Sequence, residues 1–157
     1  LQQPVSTDLR IIVTIMKASS DLERMGDHAV SIAKSTIRVK GNTRVPEIEK
    51  DIADMADKVK QMVEEVLDAY VKEDRKRALT IAKEDIAVNA YSDNIYDDCI
   101  QEMQRDSETI VGSMDYMLVA SYLERIGDYV TNICEWIIYL RTGKVVELNS
   151  NAKEDDF

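Results

Sequence analysis

Histidine occurs once in these 157 residues, cysteine twice, proline twice and glycine five times. A lone histidine, His28, weighs against the bundle enzymes whose di-iron centres need Glu-x-x-His on two helices. Cys99 and Cys134 are far apart and sit inside helical patterns, so they read as buried free thiols of a reducing compartment. So few glycines and prolines predict long uninterrupted elements. There is no Gly-rich phosphate loop, no Ser-His-Asp set and no Cys-x-x-Cys, and nothing here looks like an enzyme. The expectation is also a chain without a membrane span or signal peptide, and Leu at position 1 suits a fragment or a processed chain. Positive charge is scarce: 20 Lys and Arg stand against 30 Asp and Glu, a net −10. That argues against a nucleic-acid groove and favours cations or basic protein surfaces as partners.

What the chain does have is a duplicated stretch. Leu22-Glu23-Arg24-Met25-Gly26-Asp27 returns as Leu123-Glu124-Arg125-Ile126-Gly127-Asp128, 101 positions later. A repeat of that size is a block of about three long helices, not a short solenoid unit. In each copy Glu and Asp stand at i and i+4, which stacks two like charges on one helix face. Such a pair is most often solvated surface. The repeated context raises its interest. Gly26 and Gly127, mid-helix, suggest close approach of a neighbouring backbone or ligand, or plain helix packing.

Periodicity predicts an all-α fold of four helices, about 8–39, 46–72, 75–104 and 108–141. Ser6, Thr7 and Asp8 offer caps for the first, whose apolar stripe runs Ile11, Ile15, Ala18, Leu22, Met25, Ala29, Ala33 and Ile37. Pro46 opens the second helix, Asp74 caps the third, Asp106 or Ser107 the fourth, and Gly143 stops it. The fourth helix's stripe reads Val111, Met114, Leu118, Tyr122, Ile126, Tyr129, Ile133, Trp136 and Leu140. Short links at Glu73-Asp74 and Gln104–Ser107 force the last three helices into an antiparallel bundle. The first helix then has no repeat of its own to pack against, and self-association or further chain should cover it. Three segments result: 1–42, the last helix of a truncated first repeat; 43–146, a complete three-helix repeat; and 147–157, an acidic disordered tail.

The third helix is unusual because Asp85, Asn89 and Ser92 share its apolar side, with Asp93 at the margin. A carboxylate there must be paired, protonated or metal-bound. A buried salt bridge, with Arg125 as the partner, is one reading. Hard oxygen donors from Asp85, Asn89 and Asp93 against Glu124, Asp128 and Asn132 equally suit a divalent or iron-type ion. Spacing alone does not separate the two.

The stretch Leu123–Gly143 resembles the C-terminal helix of the PhoU family of phosphate-uptake regulators, and Leu22–Ala33 the matching helix of that family's first repeat. The resemblance implies a PhoU-like fold and a cytoplasmic, non-enzymatic regulator, with a peripheral place at the inner membrane face through partners as the variant. It implies restraint of a phosphate ABC transporter and signalling to a membrane sensor kinase. It also implies metal ions held by acidic i, i+4 motifs, here Glu23/Asp27 and Glu124/Asp128. On the middle helix it aligns Asn89 and Asp93 with the family's acid pair, one acid having been lost. The competing reading is a metal-free helical bundle serving oligomerisation.

Overall fold

In the computed structural model, residues 2–148 are described, with the side chains of the first few left aside. Five helices follow one another: α1 (Gln2–Val39), α2 (Pro46–Lys72), α3 (Arg75–Lys83), α4 (Asp85–Arg105) and α5 (Ile110–Thr142), with a single 3-10 turn at Ser107–Thr109 before the last. No strand occurs among the described residues, and the all-α expectation holds. The expected disordered tail from Asn149 onward lies outside them.

The stop and start signals act as the sequence implies. Pro46 occupies the first turn of α2, where its missing N–H is no loss. The Asp74 carboxylate accepts from the Arg77 N–H at 3.0 Å, and Asp106 from the Glu108 N–H at 2.9 Å. Gly143 takes the left-handed conformation, φ 73°, and returns its N–H to the Tyr139 carbonyl at 2.7 Å. Two boundaries differ. α1 begins well before Ser6. The expected third helix is two, because Glu84 interrupts it with 3.0 Å bonds spanning three residues, from its own N–H to Ile81 and from Ala87 back to its carbonyl. The Glu84 side chain is meanwhile drawn to Lys58 on α2 at 2.6 Å.

α2, α3–α4 and α5 form the antiparallel bundle. Ile48, Met55, Val59, Met62 and Val66 of α2 meet Ala78, Ile81, Val88, Ile95 and Cys99, as their spacing requires. α5 is the spine. It is buried on more than one side, from Tyr116 through Ile138, and every other helix packs against it. Its N-terminal half departs from expectation, with Val111, Met114 and Leu118 exposed and Gly112, Ser113, Tyr116 and Val119 buried instead.

α1 lies antiparallel on α5, its sole helical neighbour among the described residues. It does so through a face that shares only Ala18 and Met25 with the apolar stripe. Thr14, Ala18, Asp21, Met25, Ser35 and Val39 are buried, whereas Ile11, Ile15, Leu22, Ala29, Ala33 and Ile37 are exposed. Specific polar contacts explain the rotation. Arg38 binds Asp115 at 2.7 Å, the buried Asp21 carboxylate lies beside Asn132 and Trp136 with its Oδ2 lacking a hydrogen-bond partner, and His28 stacks on both Tyr122 and Tyr129 at 5.7 Å. Each needs a partner that only α5 presents, while the apolar stripe can wait for another surface.

Candidate acidic site between α4 and α5

α5 brings its copy of the duplicated motif against the start of α4. Asp85 is 4% exposed, and its Oδ1 has no hydrogen-bond partner. Gly127 makes this approach possible: a Cβ there would stand 2.8 Å from that same oxygen and 3.4 Å from Val88 Cγ1. Gly127 is thus a site of helix packing, approached by side chains of α4 rather than by a backbone. Its twin Gly26 has nothing within 4 Å and marks no contact within the described chain.

The electrostatics follow from burying one carboxylate, Asp85, beside two other acids, the half-buried Glu124 and the exposed Asp128. Desolvation, then Asp128, then Glu124 push the Asp85 carboxyl up to about 6, against a hydrogen bond from Asn89. Asp128 is raised as well, by desolvation and by Glu124, with Arg125 opposing. Glu124 is held by the Ser92 hydroxyl, which donates to its Oε2 at 2.7 Å. The expected salt bridge from Arg125 to the buried acid is absent among the described residues; Arg125 is exposed.

Of the six metal-ligand candidates, Glu124, Asp128 and Asn89 gather around Asp85. Asp93 is exposed, two turns farther along α4. The middle-helix pair at the cluster is thus Asp85 and Asn89, an Asp-x-x-x-Asn, rather than Asn89 and Asp93, with Asp85 alone buried against α5 and Asn89 exposed as Asp93 is. The one-turn difference was readable, since Asp85 is the acid on the apolar side. Glu23 and Asp27 lie exposed on α1, away from this cluster. In kind, an uncompensated carboxylate oxygen beside two further acids fits a hard cation. In geometry, no three His, Cys, Asp or Glu side chains among the described residues already stand close enough to hold one.

The comparisons with known proteins agree with the duplicated helix. The model of the PhoU domain family matches residues 1–36 and 52–137. The phosphate-specific transport system accessory protein PhoU homolog of Clostridium acetobutylicum is 43% identical over 150 residues, covering 95% of this chain and 68% of the relative. The crystal structure of the phosphate transport system regulatory protein PhoU from Streptococcus pneumoniae superimposes with a TM-score of 0.82 at 34% identity, over 89% of this chain and 66% of that one. PhoU from Pseudomonas aeruginosa gives 0.83 at 33% identity, over 90% and 68%. The chain thus spans about two thirds of the length of these proteins, of which the Clostridium relative is named an accessory protein and the Streptococcus one a regulatory protein. No described helix is long and apolar enough to cross a membrane. With one copy of the repeated helix as the spine of the fold and the other laid against it, the chain belongs to the PhoU family of phosphate-transport accessory and regulatory proteins.

Proposed function

We propose that this chain is a non-enzymatic adaptor that restrains a phosphate ABC transporter and relays phosphate status to a membrane sensor kinase, with cation-binding acidic faces. In this reading residues 1–42 are the last helix of a first repeat and 43–146 a complete second one; the 101-residue offset and the two separate family matches support that division. The observation carrying the cation reading is the buried, unpartnered Asp85 oxygen beside Glu124 and Asp128. Asp85, Glu124, Asp128 and Asn89 would hold a divalent or iron-type ion there, with Asp93 at the margin and Glu23 and Asp27 as a second acidic face. The ion would supply the positive charge that the cluster lacks. Elemental analysis of the purified protein, with melting curves in excess metal and in chelator, tests this. Metal should raise the melting temperature of the wild type and not of Asp128→Ala or Asp85→Asn. An equal response in all three, or in none, sinks the site.

The alternative is a metal-free bundle serving oligomerisation. It is favoured by the absence of a formed ligand set among the described residues and by the open apolar face of α1. Co-purification of the chain with transporter and kinase from phosphate-replete cells separates the two: an adaptor is retained, a self-associating bundle is not.

A further inference from the structure

A cleft of about 570 Å³ lies between the α2–α3 turn and the last turn of α5. Arg75, Lys76 and Arg141 line it, three cations together in a chain of net charge −10. The two carboxylates on its wall are already engaged. Asp74 caps α3 through the Arg77 N–H, and Glu73 pairs with Arg141 at 3.2 Å. Arg75 and Lys76 form no ion pair among the described residues, and the Arg75 Nε is buried without a hydrogen-bond partner. A buried guanidinium N–H lacking an acceptor is unfavourable, and a shift of the Arg75 side chain toward an anion in the cleft would relieve it. The first-turn N–H groups of Arg75 and Lys76 also lack intrahelical acceptors, at the positive end of α3.

Glu73 is the second unusual feature. With φ 51° and ψ 38° it is the one non-glycine residue at positive φ among the described residues. Glycine would close α2 there with less strain. What glutamate offers instead is a carboxylate against Arg141.

We propose that this cleft binds a phosphoryl oxyanion through Arg75, Lys76, Arg141 and the first-turn amides of α3, and that Glu73 holds Arg141 as an internal competitor until the anion displaces it. Two guanidinium forks, an ammonium and two amides offer more donors than the two oxygens of a carboxylate can use, whereas a tetrahedral phosphoryl group accepts on three. The volume lies in the range of small-molecule sites and exceeds a bare phosphate, and Leu79 adds an apolar wall. Inorganic phosphate and a phosphate monoester thus share the chemistry. The inference requires neither the cation site nor the transport role.

Isothermal titration of the full chain with potassium phosphate, adenosine monophosphate and potassium acetate, at constant ionic strength, tests it. Saturable binding of phosphate or the monoester is expected, weakened at least about tenfold by Arg75→Ala and by Arg141→Gln, and tightened severalfold by Glu73→Gly. Circular dichroism checks folding; should Arg75→Ala not fold, Arg75→Lys keeps the charge, loses the fork and should weaken binding in the same way. Tighter binding of the monoester assigns the organic ligand, and equal or weaker binding assigns free phosphate; both support the site. Absence of saturable heat with either, acetate binding as tightly, or arginine variants that bind like wild type would overturn it. A Glu73→Gly variant no tighter than wild type removes the competitor role.

Discussion

Asp85 is a residue whose ionisation works against the fold. Its carboxyl rises from the ordinary 3.8 to about 6 through burial and the neighbouring acids. Below pH ~3.8 both folded and unfolded chains carry it protonated, and it costs nothing. Between there and about pH 6 the unfolded chain ionises first, so stability falls as pH rises; above pH ~6 the loss is constant. Asp85→Asn should therefore stabilise the metal-free protein at pH 7 by up to about 3 kcal/mol and have little effect at pH ~4. Denaturant unfolding at both pH values checks this, and equal effects at both would refute it. The twin glycines give a second contrast. Gly26→Ala enters open space and should stabilise the chain by up to ~1 kcal/mol through helix propensity. Gly127→Ala drives a methyl toward Asp85 Oδ1 and Val88, and should destabilise by about 1–3 kcal/mol, part of it recovered when Asp85 is also Ala. If the two glycines respond alike, their environments have been misread. At this scale the sequence was informative about chemistry and less so about place. An acid on an apolar stripe marked Asp85 and left Asp93, two turns on, at the margin, but how closely α5 brings Glu124 and Asp128 to it depends on helix rotation, which spacing does not fix.

Among the elements, α2 was the most legible, because its apolar stripe and its buried face coincide. α1 was the least. Most of its apolar stripe belongs to the face left open, and the face it buries mixes Ala18, Met25 and Val39 with Thr14, Asp21 and Ser35. Hydrophobic patterning finds the stripe that could bury the most area, and it is blind to an interface built from Arg38–Asp115, Asp21–Asn132 and a His28–tyrosine stack. The split at Glu84 was hidden for a related reason: no glycine or proline marks it, and a tertiary ion pair to Lys58 accompanies it. α1 anchors with few buried apolar side chains and on one neighbour, so it should open before the bundle does. Native-state hydrogen exchange should show α1 amides exchanging at lower opening free energy than those at the centres of α2 and α5. Exchange of α1 only through global unfolding would contradict this.

For the molecule as a whole, the 101-residue offset turns exposure into a comparison within one chain. Ile15, Leu22, Gly26, Ala29, Ala33 and Ile37 are exposed, whereas Tyr116, Leu123, Gly127, Val130, Cys134 and Ile138, their counterparts, are buried beneath the bundle. The open face of α1 thus has the register of a helix meant to be covered, and water against it is unfavourable at about 25 cal/mol per Å². The 157-residue chain should self-associate at high micromolar concentration, and Ile15→Glu with Ile37→Glu should return it to monomer in sedimentation velocity. A wild-type monomer across that range would count against it. The spine role of α5 carries a different consequence, for how the gene can vary. A helix with one buried face tolerates change in a rhythm, three or four free positions between fixed ones. α5 meets α1 on one side and α2, α3 and α4 on others, so a saturation library should find that rhythm in α2 and lose it along the middle of α5. Apolar drift in that helix would concentrate at its exposed early residues, Val111, Met114 and Leu118, with Arg125 and Asp128 the exposed positions of its middle. The duplicated copy in α1 would be free to wander, unless whatever covers its open face holds it in step.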